Sequence, residues 1–174
     1  MAKVGIRKFV RDLMQIGVET ITPDLVILEI ARIFQIKNLE SVIVLNPEDG
    51  NAIGYIPREK LIQAFVDDNT QDLTARSIMI ENIPQIAPDL PLKVTAQMML
   101  DNHTRILYLM HHSGGITYPA AQISFNNFIQ YLAANDESEM SGLGFEAQRK
   151  TPVEVFLEKR DSSRKKLIED RERR

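Results

Sequence analysis

The 174-residue sequence contains no cysteine. That excludes a disulfide frame, a thiol nucleophile and a thiolate metal site, and it fits a reducing interior. It also lacks any apolar run near the roughly 20 residues that span a bilayer. The first ten residues carry Lys3, Arg7 and Lys8 without a continuous apolar stretch, so a soluble, cytoplasmic protein is expected. Histidine is scarce: His103 stands alone, and the neighbours His111 and His112 would point apart in a strand, which suits a polar loop better than a metal site. Gly114-Gly115 lacks the lysine and hydroxyl of a phosphate loop and reads as a turn. With no nucleophile elbow or triad-like signature either, an enzyme is not expected.

Charge is nearly balanced overall, at −3, but unevenly spread. Residues 145–174 hold 10 Lys and Arg against 7 Asp and Glu, leaving 11 against 17 for the preceding 144 residues. An acidic body offers no wide basic face for phosphate neutralisation, so a nucleic-acid partner is not expected. The 44% apolar content at this length provides a sizeable core.

What is present is one segment written twice. Met14, Val18, Ile21, Pro23, Asp24, Leu25, Ile27, Ala31 and Ile33, followed by the apolar run 42–45, recur 65 positions later. Their counterparts are Met79, Ile83, Ile86, Pro88, Asp89, Leu90, Leu92, Ala96 and Met98, followed by the run 107–110. A period this long is a complete supersecondary unit, and two copies pack most simply about a pseudo-twofold axis, with clefts where they meet.

In the first copy, residues 10–17 form an opening segment and 19–21 a short strand closed by Thr22-Pro23-Asp24. A helix is expected from Asp24, with Leu25, Leu28, Ile30, Ala31 and Phe34 as its buried stripe. The β-branched run 42–45, the turn residues 46–50 and the return 52–56 read as a hairpin, and 57–68 as a second helix. The second copy repeats this order at 84–87, 92–102, 106–110, 120–123 and 124–134, with a longer, less regular hairpin loop at 111–119. The expected organisation is repeat 1 over 1–70, repeat 2 over 71–134, and a linker and charged tail over 135–174.

The boxes Asp12-Leu13-Met14 and Ser77-Ile78-Met79, the strands around Pro23-Asp24 and Pro88-Asp89, and the hairpins that follow resemble the tandem CBS (cystathionine-β-synthase) domain pair over residues 10–134. The resemblance implies an α/β fold of two pseudo-twofold-related strand-helix-strand-strand-helix repeats. It implies a regulatory module rather than a catalyst, one that binds AMP, ADP, ATP or S-adenosylmethionine between the repeats and often forms flat homodimers. The family's ligand signature, G-x-x-[ST]-x-x-[DN], sets a hydroxyl and a helix N-terminus against phosphate and an acid or amide against ribose.

The first copy departs from that signature. It reads Gly54-Tyr55-Ile56-Pro57-Arg58-Glu59-Lys60, with proline and lysine where the hydroxyl and acid belong, so this cleft is not expected to be a standard nucleoside site. The second copy reads Ala121-Gln122-Ile123-Ser124-Phe125-Asn126-Asn127 and keeps both groups. The resemblance therefore implies a nucleotide site at Ile123, Ser124 and Asn127, lined by Ile16, Gly17, Leu39, Glu40 and Arg105, with Arg105 meeting phosphate. Two plainer readings stand beside it: Arg105 paired with a surface carboxylate, and Ser124 and Asn127 as helix-start residues.

In the tail, Thr151-Pro152-Val153-Glu154 has the form of a capping box with proline at the first helical position. A charged helix is expected, whose apolar residues Val153, Phe156, Leu157, Leu167 and Ile168 are too sparse for a self-sufficient core. Residues 151–174 are thus the expected contact with the body, with a second subunit or with an unknown regulated protein. A ligand-free, CBS-fold interaction subunit acting through this tail is the competing reading.

Overall fold

The computed structural model describes residues 8–67 and 72–134. The expected tail over 135–174 lies outside them. The described elements, in chain order, are β1 (Gln15–Ile16), β2 (Thr20–Ile21), α1 (Ile27–Lys37), β3 (Ser41–Leu45), β4 (Ala52–Pro57), α2 (Arg58–Val66), α3 (Ala75–Ile78), α4 (Leu92–Asp101), β5 (Ile106–Ser113), β6 (Ile116–Ser124) and α5 (Phe125–Ala133). A 3₁₀ turn, Val10–Asp12, precedes β1. No described helix is long and apolar enough to cross a membrane.

Each repeat lends its opening segment to the other. The sheets are ordered β1-β6-β5 and β2-β3-β4, so β1 of the first repeat lies antiparallel to β6 of the second, with Gln15 opposite Gln122. The reciprocal pairing is the bridge between Ile80 and Tyr55. Likewise Thr20 pairs in parallel with Ile43, and its counterpart Gln85 with Tyr108. The backbone bonds repeat as well: Val10 N–H donates to Leu90 O at 3.0 Å and Ala75 N–H to Leu25 O at 2.8 Å. The duplication is thus written into the hydrogen bonds as a twofold exchange.

Burial follows the same symmetry. One core joins Val10, Leu13 and Met14 to Leu107, Ala121 and Ile123 of the second repeat, and another joins Ala75 to Ile21, Phe34, Val42 and Ile56 of the first. A third, between the repeats, gathers Ile43, Ile83, Ile106 and Tyr108. Gly54 sits at one crossing: a Cβ there would meet Met79 Sδ at 2.9 Å and Ile80 O at 3.0 Å. Only a residue without a side chain admits the second repeat's opening segment so closely.

Three local expectations are corrected. The helix expected from Asp24 begins at Ile27 and buries Ile27, Ile30 and Phe34, whereas Leu28 is exposed and so is Ala31. The strand expected at 84–87 reduces to one bridge, because Pro84 and Pro88 cannot donate to a ladder. The loop expected at 111–119 is a regular continuation of β5 and β6 around Gly114-Gly115, both at positive φ as the primed two-residue turn demands. Pro119 fits because it stands opposite Met110 at a register shift. His111 and His112 consequently lie on β5, His111 against the Tyr118 ring and His112 Nδ1 2.8 Å from Thr117 Oγ1.

Candidate functional site

Where the two repeats meet, a cavity of about 550 Å³ opens, within the about 300–1,000 Å³ range of small-molecule sites. Both repeats wall it. Tyr55 comes from the first repeat's signature strand, and Ile80, Ile83, Met98 and Leu107 from the second repeat complete the apolar surface. Asn82, Gln85, Asn102 and Thr104 supply polar groups, and none of the described residues that line it is charged. Asn102 Nδ2 donates to Met98 O at 2.8 Å and Thr104 Oγ1 to Ile106 O at 3.1 Å, which fixes both side chains against the wall.

Behind the cavity, Tyr55 meets Tyr108 edge-on, with ring centroids 6.2 Å apart and planes at 67°. Burial pushes both phenols above their ordinary pKa, and the Glu59 carboxylate adds to the effect on Tyr55. Both are therefore neutral hydrogen-bonding groups at physiological pH. Tyr108 is fully buried and its hydroxyl is bonded to that of Ser41, also buried, on the other repeat.

None of the eight residues implied by the resemblance lines this cavity. Ile16 and Gly17 do lie beside the strand leading to Ser124: Ile16 is in register with Ala121, and Gly17 N–H faces Ala120 O at 3.4 Å. Ile123 is wholly buried in the second repeat's core. Ser124 precedes α5, where Asn127 Oδ1 accepts from the Ser124 N–H at 2.8 Å and from its hydroxyl at 3.0 Å. The pair thus caps its own helix, as the plainer reading has it.

Leu39 and Glu40 are held by Arg58 instead. The Arg58 Nε–H donates to Leu39 O at 3.0 Å, its backbone N–H to Glu40 O at 2.9 Å, and its guanidinium lies 3.8 Å from the Glu40 carboxylate. Arg105 accepts through its carbonyl from Phe125 N–H at 3.0 Å, at the start of α5, but its guanidinium pairs with Glu59 on α2 at 3.0 Å. Its side chain thus reaches the first repeat's last helix.

The cavity therefore belongs to the cleft that Pro57 and Lys60 disfavour by sequence. Its key residues carry no motif of their own, but the duplication points to them: moved by 65 positions, Gly17 and Leu39 become Asn82 and Thr104.

The CBS domain family model matches residues 10–67. No curated protein matches the sequence. Among solved structures, an uncharacterized conserved protein from Pyrococcus horikoshii superposes with a TM-score of 0.66 at 15% identity, covering 76% of this chain and 98% of that one. The CBS domain pair of protein MJ0100, solved in complex with 5′-methylthioadenosine and S-adenosyl-L-methionine, gives 0.62 at 15% identity over 74% and 98%. The CBS-domain containing protein ATU1752 from Agrobacterium tumefaciens gives 0.63 at 19% identity over 74% and 96%. Residues 10–67 are thus identified by sequence as a CBS domain, and the described residues as a whole share the fold of solved CBS-domain pairs.

Proposed function

We propose that this protein is a regulatory CBS-pair module, not an enzyme, that takes an adenine-containing ligand between its repeats and conveys occupancy to a partner protein. The observation that carries this reading is the cavity walled jointly by Tyr55 of one repeat and Asn82, Thr104 and Leu107 of the other. A ligand held by both repeats favours one angle between them, and a partner that distinguishes those angles senses the ligand. The neutral lining suits the base and sugar of AMP, ADP, ATP or S-adenosylmethionine. Arg105, next to Thr104, is the cation for a phosphate; its exposed pair with Glu59 is worth about 0–1 kcal/mol and exchanges readily. The neighbouring CBS pair solved with methylthioadenosine and S-adenosylmethionine supports this ligand class.

The test is calorimetric titration with these four compounds. Asn82 is exposed at the cavity wall, so Asn82→Trp fills the cavity without disturbing the core. Binding lost in Asn82→Trp and kept in Asn127→Ala supports the cavity; the reverse places the ligand at Ser124 and Asn127.

The second reading, a ligand-free interaction subunit, is favoured by the mutual capping of Ser124 and Asn127. On either reading a homodimer is proposed through α2 and α5. These helices present Ile62 and Phe65, and at the equivalent positions Ile129 and Leu132, all at 60–75% exposure. A surface that repeats itself about the internal axis suits an isologous contact. The partner contact through 151–174 is part of the same proposal.

A further inference from the structure

The second repeat's hairpin is longer than the first's, and its added length ends on the first. The β3–β4 ladder closes at Leu45 and Ala52. β5 and β6 pass the equivalent pair, Met110 and Pro119, and continue through His111 with Tyr118, His112 with Thr117 and Ser113 with Ile116. This extension meets the turn of the first hairpin. Thr117 N–H donates to Asn51 Oδ1 at 2.8 Å, and a Cβ on Gly50 would lie 3.9 Å from Ile116 Cγ2. Asn51 is itself fixed in its turn, since its N–H donates to Asp49 Oδ1 at 2.9 Å and its carbonyl accepts from Asn46 N–H at 2.8 Å. The contact is not reciprocated. Gly54 corresponds to Ala121, so Tyr118 stands where Asn51 does, and its ring lies against His111 of its own hairpin.

At the opposite end of the strands the repeats are tied by Arg105, just before β5, and Glu59, just after β4. Both of those side chains are exposed, so the pair is screened and exchanges readily. A partly buried bond from a backbone N–H to a short amide side chain has no such freedom. We infer that the extension 111–118 is a strap: by docking Thr117 on Asn51 it pins the repeats at their hairpin ends, so that they pivot there and part at the Glu59–Arg105 end, toward which Thr104 lines the cavity. The inference concerns the free protein and adds to the proposed function the place about which the repeats turn.

The chain has no cysteine, so two introduced cysteines carry spin labels at defined positions. Glu48→Cys with Ser113→Cys spans the hairpin ends, and Gln63→Cys with Asn126→Cys spans α2 and α5; all four positions are exposed. Pulsed electron paramagnetic resonance on the ligand-free full chain is expected to give a narrow distance distribution for the first pair and a broader one for the second. Asn51→Ala and Thr117→Pro each remove one side of the bond and are expected to lose the narrow distribution. Proline is admissible at 117 because the N–H it removes serves Asn51. Thr117→Val keeps that N–H, gives up only the hydroxyl contact with His112, and is expected to stay narrow. An unchanged distribution in Asn51→Ala or Thr117→Pro overturns the inference, as does a broad one in the parent or in Thr117→Val. A helix pair as narrow as the hairpin pair also overturns it, because the repeats then do not part at that end. No ligand enters the measurement, so the proposed function stands or falls separately.

Discussion

Tyr108 of the second repeat reaches across the internal axis to share a hydrogen bond with Ser41 of the first, 67 residues away, and both side chains are buried. It is the polar contact at the centre of an otherwise apolar interface formed by Ile43, Ile83 and Ile106. Tyr108→Phe keeps the ring and leaves the Ser41 hydroxyl without its partner. The expected loss is about 1–2 kcal/mol in urea unfolding, mostly recovered when Ser41→Ala is added, because removing both partners is close to neutral.

The same phenol gives an alkaline limit to stability. Burial raises its pKa above the ordinary 10.0. As pH rises past 10.0 the unfolded chain releases this proton while the folded chain keeps it, so stability falls with a slope of up to about 1.4 kcal/mol per pH unit. Tyr108→Phe is expected to flatten that slope between pH 9.5 and about 11, measured by chemical denaturation. An unchanged slope would show that other groups govern it.

Gly54 is where the opening segment of the second repeat crosses β4. Gly54→Ala forces Met79 and the Ile80 carbonyl apart and is expected to cost about 1–3 kcal/mol. The equivalent Ala121 already accommodates a Cβ within the second core, so Ala121→Gly is expected to cost only about 0.5–1 kcal/mol. Paired thermal melts distinguish the two.

Asn38 and His103 occupy the same place after α1 and α4, each with φ near +50°. Asparagine tolerates the left-handed region better than histidine does. His103→Gly is therefore expected to stabilise the protein by about 0.5–1 kcal/mol and Asn38→Gly by less, read as shifts in melting temperature.

Self-association is tested on α2 and α5. Phe65→Asp together with Leu132→Asp places carboxylates on the exposed apolar pair. Sedimentation equilibrium is expected to show a dimer for the parent and a monomer of unchanged melting cooperativity for the variant.

The architecture was legible because the duplication repeats chemistry at a fixed spacing, and spacing is what strand pairing preserves: Thr20 with Ile43 and Gln85 with Tyr108 follow one rule. What the spacing does not encode is which face of α1 turns inward. Leu28 is as apolar as Ile27, yet it is exposed, since the sheet accepts the face bearing Ile27, Ile30 and Phe34. The site was only partly legible for a related reason. The signature at Ser124 and Asn127 describes a helix cap as well as a ligand contact, and the structure closes it on itself. Tyr55, Asn82 and Thr104 have no motif; they form a wall only because the repeats exchange their opening segments.

The most direct measurement is the melting temperature against AMP, ADP, ATP, S-adenosylmethionine and buffer, for the unsubstituted protein and for Asn82→Trp. A ligand held between the repeats stabilises by about 2.7 kcal/mol at a hundredfold excess over Kd, so a selective rise that Asn82→Trp diminishes is the predicted result. Equal melting temperatures in every ligand and in buffer would contradict the sensor and leave a CBS fold that works by protein contact alone.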